Sequence, residues 1–142
     1  MKHDSDVLIA GGGLNGPALA LALAQAGLRV TVIDAAPARA RADDTFDGRA
    51  YALAIASQKL LAAIGVWPAV AEHAQPMMEV KASDGEAGEG GAPFFLHFDS
   101  RELDQSPVGY MLEDRYLYRA FLDAMQAAPG IMESLFTNPA YR

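Results

Sequence analysis

Six residues near the start of the chain, Gly11-Gly12-Gly13-Leu14-Asn15-Gly16, have the types and spacing to hold a phosphate. They match G-x-G-x-x-G, and a lone acid, Asp34, follows about twenty residues on. Each position has a physical reason. Gly11 permits a tight turn, Gly13 lets backbone approach a diphosphate, and Gly16 lets the next helix pack close to the strand before it. Leu14 and Asn15 stand at that helix start, where amides lacking intrahelical partners and the helix dipole hold an anion. Asp34 is placed to accept hydrogen bonds from an adenosine ribose. An acid there favours an unphosphorylated ribose, hence FAD or NAD over NADP. The plain alternative is a glycine turn with a surface acid, yet every element that the fingerprint requires is present.

The flanking sequence must supply a strand, a helix and a second strand. Asp6–Ala10 reads as a short buried strand, and Asn15–Ala26 as a helix with Pro17 in its first turn and Gly27 as its stop. Leu28–Ile33 reads as the second strand, so the three form a parallel βαβ unit. The helix is apolar on all sides, with Leu19, Leu21 and Leu23 alternating with alanines, so more than one of its faces needs cover. Gly11–Gly13, Pro17, Asp4 and Asp6 oppose the rival reading of this run as a signal peptide or membrane span.

Ala35–Ala50 reads as a charged loop. Tyr51–Ile64 reads as a helix with Leu53, Ala56, Leu60, Leu61 and Ile64 on one face. Met78–Ser83 and Pro93–Phe98 read as a hairpin with a long tip, and Val108–Leu112 as a further strand. Arg115–Ala127 reads as a helix capped by Asp114, with Leu117, Ala120, Phe121, Ala124 and Met125 inward. Ile131–Phe136 reads as a last strand. The expected fold is α/β: a three-layer, Rossmann-like domain with a βαβ start and a β-hairpin insertion.

Two arginines are further candidates. Arg49, in "DGRAYALA", either reaches a cofactor or pairs in solvent with Asp44 or Asp47. Arg115 lies in the first turn of a helix, where the dipole does not favour a cation; it is either indifferent or aimed at an anion. Composition narrows the rest. Eighteen acids against eleven bases give a net charge of −7, which argues against nucleic acid as a partner. There are no cysteines, so disulfides and thiol chemistry are excluded. His3, His73 and His97 lack metal-ligand spacing, and no nucleophile motif occurs.

Three segments together carry a resemblance: "DVLIAGGGLNGPALALALAQAGLRVTVID", "DGRAYALAIASQKLLAAIGVW" and "FLHFDSRELDQSPVGYMLEDRYLYRAFLDA". They resemble the start of the flavin-dependent aromatic hydroxylases, nearest the ubiquinone-biosynthesis branch of the 2-polyprenyl-6-methoxyphenol hydroxylase kind. The resemblance implies bound FAD, reduction by NADH or NADPH, and transfer of one oxygen from dioxygen to a phenol ring. It implies cofactor roles for Arg49, near the flavin and its phosphates, and for Arg115, approaching the FAD chain from a helix start. Asp34 matches the ribose acid.

The family's later Asp-Gly and Gly-Asp segments have no match after Arg115. Residues 1–142 are therefore expected to be the N-terminal, ADP-binding part of an FAD/NAD(P)-binding domain, without the substrate domain and inactive alone. Exposed apolar surface would then favour association. A cytoplasmic location is expected, with peripheral membrane contact left open by a prenylated substrate. Two rivals stand beside this reading: an NAD-dependent dehydrogenase and a non-catalytic dinucleotide-binding module.

Overall fold

A computed structural model of the protein describes residues 4–35, 45–85, 88, 90–91, 95–102 and 107–135. The chain begins with strand β1 (Val7–Ala10), helix α1 (Asn15–Gln25) and strand β2 (Val30–Asp34). β1 and β2 are parallel, with Val7 opposite Val30 and Ala10 opposite Ile33. β2 then pairs on its other side with the last strand, β8 (Ile131–Leu135), also in parallel. The expected βαβ unit is therefore present, and β2 is the middle of three strands.

The side chains alternate as a one-sided sheet demands. Ile9, Val30 and Val32 are buried beneath α1, whose Ala20 and Leu21 meet them. On the other face, Leu8 is 63% and Met132 48% exposed. Parallel sheets are ordinarily covered on both faces, and the described residues cover one. The all-apolar α1 shows the same shortfall, for Leu19 remains 51% exposed.

The middle of the chain builds two antiparallel sheets. β3 (Ala50–Ala54) and β4 (Gln75–Met77) flank β7 (Gly109–Glu113). β5 (Glu79–Ser83) and β6 (Phe95–Asp99) form the expected hairpin; Pro93, assigned to it from sequence, lies outside the described residues. Phe95, Leu96 and Phe98 of β6 are all exposed. Between β3 and β4 run α2 (Ile55–Ala63), the single turn α3 (Trp67–Val70) and a 3-10 turn at Ala71–His73. After β7, α4 (Asp114–Ala127) buries Leu117, Tyr118, Phe121, Leu122 and Met125, an i, i+3/i+4 stripe that packs on α1 and α3.

Two local expectations are corrected. Tyr51–Ala54 is strand, not helix. Its side chains alternate, with Tyr51 and Leu53 half-buried and the alanines exposed, because β7 offers a ladder partner from Ala50 opposite Glu113 to Ala54 opposite Gly109. Tertiary pairing overrides the helix preference of an alanine-rich stretch. The helical face assigned to this stretch fails accordingly: Leu61 and Ile64 are buried, whereas Ala56 and Leu60 are exposed. Asp114 is not the N-cap of α4. Glu113 holds that position, without a side-chain cap, and Asp114 is turned inward.

The base of the hairpin carries an ion-pair cluster that the sequence spacing did not reveal. Donor atoms of Glu79, His97 and Asp99 lie within 4.8 Å of one another. Cations already attend them: Lys81 sits 3.2 Å from Glu79, and Arg101 binds Asp99 through its side chain and its amide. The Arg101 side-chain hydrogen bond, then its backbone amide, lower the Asp99 carboxyl from 3.8 to about 2. A carboxyl depressed in the folded state stabilises above its unfolded value and ceases to do so as pH falls through the folded one. Thermal unfolding of wild type and Asp99→Asn should therefore differ most above about pH 4 and converge towards about pH 2.

Candidate functional site

β1 ends at Ala10 and the chain turns at once. Gly11 adopts φ +113°, a backbone angle open to glycine and strained for other residues. Its amide donates to the Ile33 carbonyl at 2.8 Å, which ties the turn to β2. The next amide, of Gly12, donates to Asp34 Oδ2 at 2.5 Å. Asp34, the last residue of β2, is thereby fastened to the glycine turn.

Gly16 makes the close approach. A Cβ there would lie 1.9 Å from the Gly11 carbonyl oxygen and 3.6 Å from the Ile9 side chain. The first turn of α1 can lie against the glycine turn only because that Cβ is missing. Leu14 occupies the N-cap without a side-chain cap, and the first turn carries no acid. The leading amides of α1 have no intrahelical acceptor, and the positive end of its dipole is not offset by an acid.

A cavity of about 850 Å³ opens at this point. Gly11, Gly13, Leu14, Asn15 and Gly16 line it, together with Arg49 just before β3, Tyr51 within β3, and Asp114, Leu117 and Phe121 of α4. Arg49 therefore shares a cavity with the glycine turn. Its Nε donates to Asp47 Oδ2 at 2.7 Å, and its Nη2 lies 3.2 Å from Asp114 Oδ2. The Asp47 pairing anticipated in the sequence is exposed on both sides and worth little; it holds the Asp47 carboxyl below its usual range, chiefly through the Arg49 side chain. Asp44 lies outside the described residues.

Arg115 and Asp34 do not line the cavity. Arg115 donates from Nε to Glu113 Oε2 at 2.6 Å, and its guanidinium stands 4.7 Å from the Tyr116 ring centre and 5.8 Å from that of Phe46. The structure thus gathers five turn residues and Arg49 around one space, ties Asp34 to the turn from behind, and sets Arg115 apart.

Four polar residues that line the cavity, Tyr51, Ser57, Asp114 and Tyr118, were not among the site candidates read from the sequence, and two of them are bonded to each other. The Tyr51 hydroxyl donates to Asp114 Oδ1 at 3.0 Å. Burial first, then this bond, raises the Tyr51 hydroxyl above its ordinary value of 10.0. Tyr51 stood in the quoted "DGRAYALA" segment, but only the β3–β7 pairing shows that it meets Asp114.

A family model described as "FAD binding domain" matches residues 4–128. The chain belongs to that family. Relatives of this FAD-binding domain include the ubiquinone hydroxylase UbiL of Rhodospirillum rubrum, 42% identical over 126 residues. The match covers 89% of this chain and 28% of UbiL. The 3-demethoxyubiquinol 3-hydroxylase of Escherichia coli is 39% identical over 132 residues, covering 92% of this chain and 32% of that protein. The chain thus spans roughly a third or less of the length of both relatives. Its fold also resembles that of p-nitrophenol 4-monooxygenase PnpA from Pseudomonas putida DLL-E4, with a TM-score of 0.67 and 19% identity over 95% of this chain and 32% of that one.

The residues present fit the cofactor in the family's name. Uncapped amides at the α1 start and the Arg49 guanidinium border the same cavity, a donor set suited to a diphosphate. No helix among the described residues is long and apolar enough to cross a membrane.

Proposed function

We propose that this chain is the ADP-binding, N-terminal portion of an FAD-dependent monooxygenase that hydroxylates a phenolic, prenylated ring in ubiquinone biosynthesis. The observation that carries the reading is the cavity in which the glycine turn, the open start of α1 and Arg49 meet. The ring chemistry is supported by the two ubiquinone-type hydroxylases at 42% and 39% identity. The substrate-binding portion is assigned to a region outside residues 1–142, in keeping with the share of each relative that the chain spans.

In this reading, the α1 amides and Arg49 bind the diphosphate, and Asp34 accepts hydrogen bonds from the adenosine ribose while holding the Gly12 amide. Arg115, next in sequence to the cavity residue Asp114, is assigned to the FAD chain by the resemblance alone. When bound and reduced by NADH or NADPH, FAD would supply the activation of dioxygen, one atom of which passes to the ring while the other leaves as water. A prenylated substrate would bring the enzyme to a membrane surface.

The dehydrogenase alternative requires strand–helix alternation to continue after β2. The described residues instead enter an antiparallel sheet, β3–β7–β4.

Titration of the chain with FAD, followed by flavin fluorescence, tests the cofactor assignment. Uptake of FAD without hydroxylation of a polyprenyl phenol, with either NADH or NADPH present, is the expected result. Stoichiometric flavin with turnover would overturn the assignment of this chain as an incomplete enzyme. Binding of NADH with no uptake of FAD would favour the dehydrogenase. Asp34→Ala should weaken FAD about tenfold and lower stability by about 1–2 kcal/mol, since the Gly12 amide loses a charged acceptor. Fluorescence titration and urea unfolding read the two effects separately.

A further inference from the structure

The carboxylate of Asp114 lines the cavity assigned above to the cofactor diphosphate, where an acid is out of place by charge. Only 5% of the residue is exposed. A buried carboxylate is costly unless both oxygens are engaged, and here they are. Oδ1 accepts from the Tyr51 hydroxyl at 3.0 Å, and Oδ2 faces Arg49 Nη2 at 3.2 Å. The main chain repeats the link, for the Asp114 amide donates to the Arg49 carbonyl at 3.1 Å. Arg49 is thus tethered twice to the start of α4.

The two acids around Arg49 differ in kind. Asp47 is half exposed, so an incoming anion can replace it at little cost. Asp114 is enclosed and cannot give up its cation cheaply. A diphosphate entering the cavity can therefore exchange with Asp47 while Asp114 keeps its hold. The Tyr51 hydroxyl donates to the other oxygen and holds the orientation of the carboxylate.

We propose that Asp114 and Tyr51 are positioning residues that aim Arg49 at the cofactor diphosphate. The inference rests on the FAD reading above. Neither side chain need touch the cofactor; both act through the guanidinium.

A double-mutant cycle on FAD affinity tests the inference, with thermal unfolding recorded for every variant. Asp114→Asn should weaken FAD about tenfold, and Tyr51→Phe about threefold, by loosening a preorganised donor. Neither substitution should weaken FAD further in an Arg49→Ala background, because the residue through which they act is gone. A purely structural role would weaken FAD by the same factor in both backgrounds, and that result overturns the inference. Unchanged or tighter binding in Asp114→Asn and Tyr51→Phe also overturns it. If Asp114→Asn fails to fold, Tyr51→Phe, which deletes one hydroxyl, carries the cycle alone. If the wild-type chain takes up no FAD, the cofactor reading falls and this inference with it; if wild type binds and the cycle is additive, only this inference falls.

Discussion

Gly16→Ala should disrupt both the stability of the chain and its uptake of FAD. The added methyl would lie 1.9 Å from the Gly11 carbonyl oxygen, well inside van der Waals contact. That oxygen belongs to backbone, so no side chain can swing aside. Relief requires either that α1 withdraw from the turn or that the Gly11 peptide rotate. Gly11 already stands at φ +113°, and its amide is committed to Ile33. Withdrawal of α1 would lift Ala20 and Leu21 from Val30 and Val32, the centre of the parallel sheet. A loss of about 3 kcal/mol is expected, at the upper end for overpacking. The helix amides would also leave the cavity, so FAD affinity should fall beyond measurement in the same variant. Gly12→Ala provides the contrast. Its Cβ would meet Asp34 Oδ2 at 3.0 Å, a side-chain atom able to shift. Urea unfolding should place Gly12→Ala between wild type and Gly16→Ala.

Phe121→Ala is expected to cost about 3–5 kcal/mol, the range for deleting a buried aromatic side chain. Phe121 is 2% exposed and is the largest of the fully buried side chains among the described residues. It lies on the inward stripe of α4, the helix that packs on α1, and it also lines the cavity. Small domains have a total stability of about 5–15 kcal/mol, so the variant should be largely unfolded in mild denaturant. Phe95→Ala makes the comparison sharp. Phe95 is 56% exposed on the hairpin, and its loss should change stability by about 0.5 kcal/mol or less. Two phenylalanines of one chain would thus differ by several kcal/mol because only one is removed from water.

What could be read from the residues alone follows how local each signal is. The glycine turn, α1 and β2 lie within one βαβ unit, and short-range spacing suffices to place them; the bond from the Gly12 amide to Asp34 emerges only from the fold. α4 declares itself by its stripe from Leu117 to Met125. β3 was hidden because Ala50–Ala54 has no strand character apart from its partner, β7. β4 was hidden because it is three residues long and contains Pro76, which suits a strand paired on one side only. The same cause hid the polar group in the cavity. Tyr51 and Asp114 are 63 positions apart and meet through sheet pairing. Asp114 also stands where an N-cap would be expected, so a local rule offered it a plausible but different role. Arg49 and Arg115 looked alike as candidates on residue type; the fold sets one beside the glycine turn and stacks the other on aromatic rings.

The pairing of β2 with β8 sets a timetable for synthesis. Val30 finds its ladder partner only at Ile131, whereas Val7, its other neighbour, is made before it. During translation, the β1–α1–β2 unit must therefore wait with one side of β2 unpaired until about a hundred further residues, up to Ile131, have been made. Long-range parallel pairing of this kind is slow and leaves strand edges open in the interim. The nascent chain should accordingly depend on chaperones most strongly between the emergence of β2 and that of β8.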